Sequence, residues 1–82
     1  MTASLNRVRW LCRRGMLELD AWLALFLDTR HAELDPALQA SFARMLEEDD
    51  MALFDWFTGA REPPAEFKAV VDAIKTTRYS RP

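Results

Sequence analysis

Arg13-Arg14-Gly15-Met16-Leu17-Glu18-Leu19-Asp20 is the stretch on which the fold turns. Apolar residues recur at helical spacing on both sides of it: Leu5, Val8, Leu11 and Cys12 before, Leu19, Leu23, Phe26 and Leu27 after. Gly15, one of only two glycines in the chain, stands where the two stripes meet. It reads as the left-handed residue that stops a first helix over residues 5–14. Ser4 is the candidate N-cap of that helix, and its closing arginines suit the negative end of its dipole. A second helix over residues 16–29 begins with Glu18 and Asp20 at its positive end. Trp22 and Leu25 widen its stripe, so this helix is expected at the centre of the molecule.

The pattern continues toward the C-terminus. Asp35-Pro36 pairs an N-cap residue with proline at the first helical position. Leu38, Phe42, Met45 and Leu46 then predict the buried stripe of a third helix. Asp49 and Asp50 mark a break and a new cap, with Asp50 able to cap a short fourth helix over residues 51–58. That helix carries Leu53, Phe54, Trp56 and Phe57 and ends at Gly59. Pro63-Pro64 opens a fifth helix, with Phe67, Val70, Val71 and Ile74 on one face as far as Thr76. Residues 78–82 read as a frayed tail. Strand-type alternation is absent. The expected architecture is one all-α domain over residues 1–82, a small five-helix bundle.

Composition narrows the function. A chain of 82 residues forms one domain at most, and a hydrophobic content of 50% is enough for one core. The net charge of −2 hides an asymmetry: Arg7, Arg9, Arg13 and Arg14 precede any acid, whereas residues 18–55 are acidic apart from Arg30 and Arg44. Such a dipolar molecule suits a charged protein surface and lacks the positive excess of a nucleic-acid binder. A single cysteine excludes an internal disulfide, which fits a reducing compartment. No apolar run reaches the roughly 18–20 residues that cross a bilayer. A cytoplasmic location is expected, with no membrane insertion.

Catalytic sets are missing. His31 and Cys12 are single residues of their type, so neither joins a metal-ligand cluster. No phosphate-binding glycine loop and no Ser-His-Asp arrangement occurs. Glu47, Glu48, Asp49 and Asp50 project in different directions around a helix boundary and read as a solvated cap. A bundle this small is expected to leave little volume for a substrate pocket. Trp22, Phe42, Phe54 and Phe67 read as core, Cys12 as a small buried apolar residue, and His31 as an exposed loop residue. Arg7, Arg9 and Arg13 read as a solvated basic face. The chain therefore reads as a binding module and not an enzyme, with no metal and no bound cofactor of its own.

The run Trp10 to Asp20 resembles the signature of the SdhE family, small flavinylation factors defined by Arg-Gly-x-x-Glu, here Arg14, Gly15 and Glu18. A second block, Leu46-Glu47-Glu48-Asp49-Asp50-Met51-Ala52-Leu53-Phe54-Asp55-Trp56, is similar to the family's Leu-Glu-x-Asp-Asp-x-x-Leu-Phe-x-Trp stretch. Met51 stands where members often have proline. The resemblance implies an assembly factor that binds the flavoprotein subunit of succinate dehydrogenase and promotes covalent attachment of FAD, the client's cofactor. The fumarate reductase flavoprotein is an implied second client, and a monomer is expected. It also implies a partner-binding patch of Trp10, Arg13, Arg14, Gly15, Met16, Glu18 and Asp50. Gly15 leaves room for a partner backbone, Arg14 offers five donors, and Trp10 or Met16 can anchor the contact. The alternative for Arg14 and Glu18 is a salt bridge that closes the interhelix turn. The alternative function is that of an antitoxin-like partner neutralising a membrane-associated toxin, since some members carry that description.

Overall fold

The computed structural model describes the backbone of residues 5–79 and the side chains of residues 6–77. Five α-helices follow in order: α1 (Leu5–Leu11), α2 (Leu17–Thr29), α3 (Pro36–Met45), α4 (Asp50–Thr58) and α5 (Ala65–Tyr79). A 3-10 turn at His31–Glu33 lies between α2 and α3, and no strand occurs among the described residues. The fold is a small all-α bundle, as the periodicity predicts. The Ser4 cap, the side chain of Leu5 and residues 80–82 of the expected tail lie outside the described residues. Arg78 and Tyr79 are not tail but the last residues of α5, which continues past Thr76 because no glycine or proline interrupts it there.

Most helix ends have a local cause. The Asp35 side chain accepts a hydrogen bond from the Leu38 N–H at 2.9 Å, and Pro36 follows it at the first helical position. The Asp49 carboxylate accepts from the Ala52 N–H at 2.7 Å and starts α4. Asp49 is thus the cap, and Asp50, which the sequence offered for that role, is the first helical residue. Gly59 ends α4 in the left-handed region at φ 88°, its N–H donating to the Trp56 carbonyl.

The end of α1 departs from expectation. The helix stops at Leu11, three residues before the predicted boundary. Tighter bonds close it: the Cys12 N–H donates to the Arg9 carbonyl and the Arg13 N–H to the Trp10 carbonyl. Gly15 does have a positive φ, +90°, but it sits in a connector beyond the helix and is not its cap. The physical reason is tertiary, because the next backbone N–H groups are taken by a side chain of α2.

α5 packs against α2, α3 and α4 and so defines the core. Leu19, Leu23 and Phe26 of α2 meet Phe42 and Met45 of α3, Leu53 and Phe57 of α4, and Val70, Val71 and Ile74 of α5, all fully buried. Each such side chain contributes about 1.5–3 kcal/mol on burial. Phe26 and Phe42 lie 5.3 Å apart between ring centroids. Among the described residues of α1, Val8 joins this core and Leu11 packs against it, and Cys12 just past the helix is buried there too.

Two expectations about side chains change. Phe42 and Phe67 are buried, but Trp22 and Phe54 are half-exposed and stack on each other at 5.7 Å with a 20° interplanar angle. Each lies next to the centre of its helix's buried stripe, so it lands on the rim. His31, expected as an exposed loop residue, is half-buried in the 3-10 turn with its ring 5.4 Å from that of Phe42. Burial lowers its pKa below the usual 6.5.

Candidate partner-docking site

The connector between α1 and α2 is built from both directions. Asp20, in the first turns of α2, reaches back with both carboxylate oxygens. One accepts the Arg14 N–H at 2.6 Å and the other the Gly15 N–H at 3.2 Å. These N–H groups follow a helix end and have no helical partner, so the carboxylate fixes the connector's path. Asp20 was read from the sequence only as a dipole-matched acid. Its signal was the spacing of an acid just inside a helix start, the logic of a capping box drawn out by extra residues.

Arg14 points inward. Its Nε donates to Asp50 Oδ1 at 2.8 Å, its Nη1 to the carbonyls of Leu46 at 2.6 Å and Leu11 at 3.0 Å, and its Nη2 to the carbonyl of Glu48. The side chain is 12% exposed. One planar cation thus satisfies carbonyls left over at the ends of α1 and α3 and pairs with the acid that opens α4. The donors that the sequence offered to a partner are largely used within the fold. The alternative of a bridge to Glu18 gives way to one with Asp50, 36 positions away. The two sequence blocks that carry the family resemblance therefore meet in space.

What faces solvent is the rest of the patch. Arg13, Gly15 and Glu18 are exposed, and the side chains of Arg13 and Glu18 have no hydrogen bond or ion pair among the described residues. Trp10 is 67% exposed. Met16 is half-buried against the core. Asp50 is half-buried and engaged with Arg14. Leu17, at 87% exposure, and Met51, at 56%, are exposed apolar residues that the sequence reading did not place in the patch. Leu17 lies two positions before Leu19, on nearly the opposite side of α2, which was the available signal.

The expectation of little pocket volume is corrected. A groove of about 590 Å³ runs between α1 and α2 beside the connector, lined by Asn6, Arg9, Trp10, Cys12, Arg13, Asp20, Ala24 and Leu27. Cys12 is buried at its base, and burial outweighs the nearby Arg14 and Arg9 to push its thiol up to about 11. It is a protonated, poor nucleophile at neutral pH. Arg9 pairs with Asp28 at 3.1 Å and Arg7 with Glu47 at 3.8 Å, all on the surface. Among the described residues, no cluster of three or more His, Cys, Asp or Glu is arranged to hold a metal ion. No helix among them is long and apolar enough to cross a membrane. Exposed aromatic and apolar side chains beside free charges suit protein docking better than bond-making chemistry.

The family model described as flavinator of succinate dehydrogenase matches residues 6–78. A FAD assembly factor SdhE of Aliivibrio fischeri is 45% identical over 76 residues, 92% of this chain and 88% of that protein. The FAD assembly factor SdhE of Pectobacterium atrosepticum is 35% identical over 77 residues, covering 93% and 88%. That of Coxiella burnetii is 37% identical over 71 residues, covering 85% and 87%.

Proposed function

The chain belongs to the family of flavinators of succinate dehydrogenase, and on that premise we propose that it binds the flavoprotein subunit of that enzyme and promotes covalent attachment of FAD to it. The match across residues 6–78 carries this reading. Arg13, Gly15 and Glu18, with Trp10 beside them, form the contact. Arg14 and Asp50 act from behind, holding the connector to the α3–α4 corner. Met16 seats the start of α2 on the core and meets the partner only at its edge. The family's relatives are named assembly factors, and this chain likewise contributes no catalytic group. It stabilises the conformation in which the client's own side chain reacts with its flavin, so it must bind that conformation more tightly than the others.

The related fumarate reductase flavoprotein is a second client in this reading, and the factor works as a monomer in the cytoplasm. FAD remains the client's cofactor. No observation favours the antitoxin-like alternative: the relatives described above are named for FAD assembly.

The test is genetic. Deleting the gene should abolish the covalent flavin fluorescence of the denatured succinate dehydrogenase flavoprotein, and restoring it should bring the signal back. Undiminished fluorescence in the deletion strain would sink the proposal. Replacing Gly15 by Arg should prevent co-purification of the client while the circular dichroism spectrum stays helical. Co-purification by a folded Gly15→Arg chain would remove Gly15 from the contact.

A further inference from the structure

The groove between α1 and α2 lies outside the Arg-Gly-x-x-Glu signature, and its chemistry is selective. Trp10 forms one wall with its indole largely exposed, and exposed Ala24 forms the other. Leu27 is buried at the base.

Its lining carries two guanidinium groups, Arg9 and Arg13, against the single carboxylate of Asp20, although the molecule's net charge is −2. Both oxygens of Asp20 accept backbone N–H groups, so that acid is engaged. Arg9 is matched by Asp28 at the rim. The side chain of Arg13 has no ion pair or hydrogen bond among the described residues. An incoming carboxylate finds an unmatched guanidinium, and an incoming apolar side chain finds indole and aliphatic surface. An incoming lysine or arginine meets Arg13 as a like charge.

We infer that this groove seats an acidic segment of the flavoprotein client, with a carboxylate on Arg13 and a neighbouring apolar side chain between Trp10 and Ala24. The inference rests on the reading of the chain as a flavoprotein assembly factor and specifies what its client presents. It places part of the binding energy on Trp10 of α1 and Ala24 of α2, beyond the connector that holds Arg13 and Gly15.

The experiment measures binding of the purified full-length flavoprotein subunit to the full chain by calorimetry at two salt concentrations. Arg13→Glu and Ala24→Trp should each raise Kd at least about tenfold, the first by charge reversal and the second by filling the groove. Ala24 is exposed on a helix, so circular dichroism should be unchanged. Arg13→Gln should also flatten the salt dependence. A benzophenone cross-linker introduced at position 6, on the groove's lip, should capture a client peptide rich in Asp or Glu.

Variants that bind within about twofold of the unaltered chain, or capture of a basic peptide, would overturn the inference and leave the assembly-factor reading standing. Failure of the unaltered chain to bind the flavoprotein would overturn both. Sedimentation showing a dimer that Ala24→Trp disperses would assign the groove to a second copy and also overturn it.

Discussion

Gly15 and Gly59 have nearly the same backbone angle, φ +90° and +88°, and a β-carbon at either would meet no atom within 4 Å. Their surroundings differ. The Gly59 turn is closed by neighbours in sequence: its N–H bonds to the Trp56 carbonyl, and Arg61 bonds to Asp55 through both backbone and side chain. The Gly15 connector is held by α2 on one side and, through Arg14, by the α3–α4 corner on the other. Two glycines with nearly the same φ therefore have different roles. One ends a helix, and the other is a surface feature whose shape depends on the whole fold. The open space above both glycines means that neither is required by packing within the chain. Any steric demand at Gly15 beyond its backbone angle comes from outside.

The contrast is strongest for the two arginines. Arg14→Ala removes four internal hydrogen bonds and leaves carbonyls and a carboxylate without a partner. The expected cost is about 2–3 kcal/mol, kept below that of a fully buried pair by the exposure of Asp50. In a domain of this size that lowers Tm by roughly 10–20 °C. Arg61→Ala breaks an exposed pair with Asp55 and should cost less than about 0.5 kcal/mol. Urea denaturation of both variants measures the difference, and equal midpoints would erase the distinction between the turns.

Next come the carboxylates that serve the two turns. Asp20→Ala frees two backbone N–H groups of the connector and should cost about 1–2 kcal/mol. Asp55→Ala loses only the surface pair with Arg61 and should stay within about 0.5 kcal/mol. Amide hydrogen exchange gives a local readout: faster exchange at Arg14 and Gly15 is expected in Asp20→Ala. Unchanged protection there would mean that the connector is held by Arg14 alone.

The same pair of turns shows how far the sequence was legible. Signals that act within a few residues came through: Asp35-Pro36, Gly59, and the stripe of α5 stand where spacing and capping chemistry put them. The early end of α1 did not, because it is decided by Asp20 and by a guanidinium bonded 32 to 36 positions away. No periodicity encodes such a pairing. At the site, exposure of Trp10, Arg13 and Glu18 follows from their positions off the buried stripes. The inward turn of Arg14 and the groove at Trp10 follow from how α1 lies across α2, which local pattern does not specify. Trp22 and Phe54 make the same point at the rim, where periodicity gives a helix's buried side but not its width.

The smallest structural effect discriminates the roles most sharply. Gly15→Ala and Gly59→Ala both place a β-carbon on a left-handed residue with open space around it. Each should therefore cost about 1 kcal/mol, from backbone strain and the altered unfolded state alone. Equal destabilisation makes the pair a matched control, since any general weakening of the fold affects both. If the connector is the docking surface, Gly15→Ala should also weaken binding of the flavoprotein subunit by about tenfold, because a methyl group intrudes where the partner backbone approaches. Gly59→Ala should leave Kd within about twofold. Parallel losses in the two variants would mean that binding follows stability and that Gly15 is only a turn. A loss at Gly15 alone separates the requirement of the fold from that of the partner at a single β-carbon.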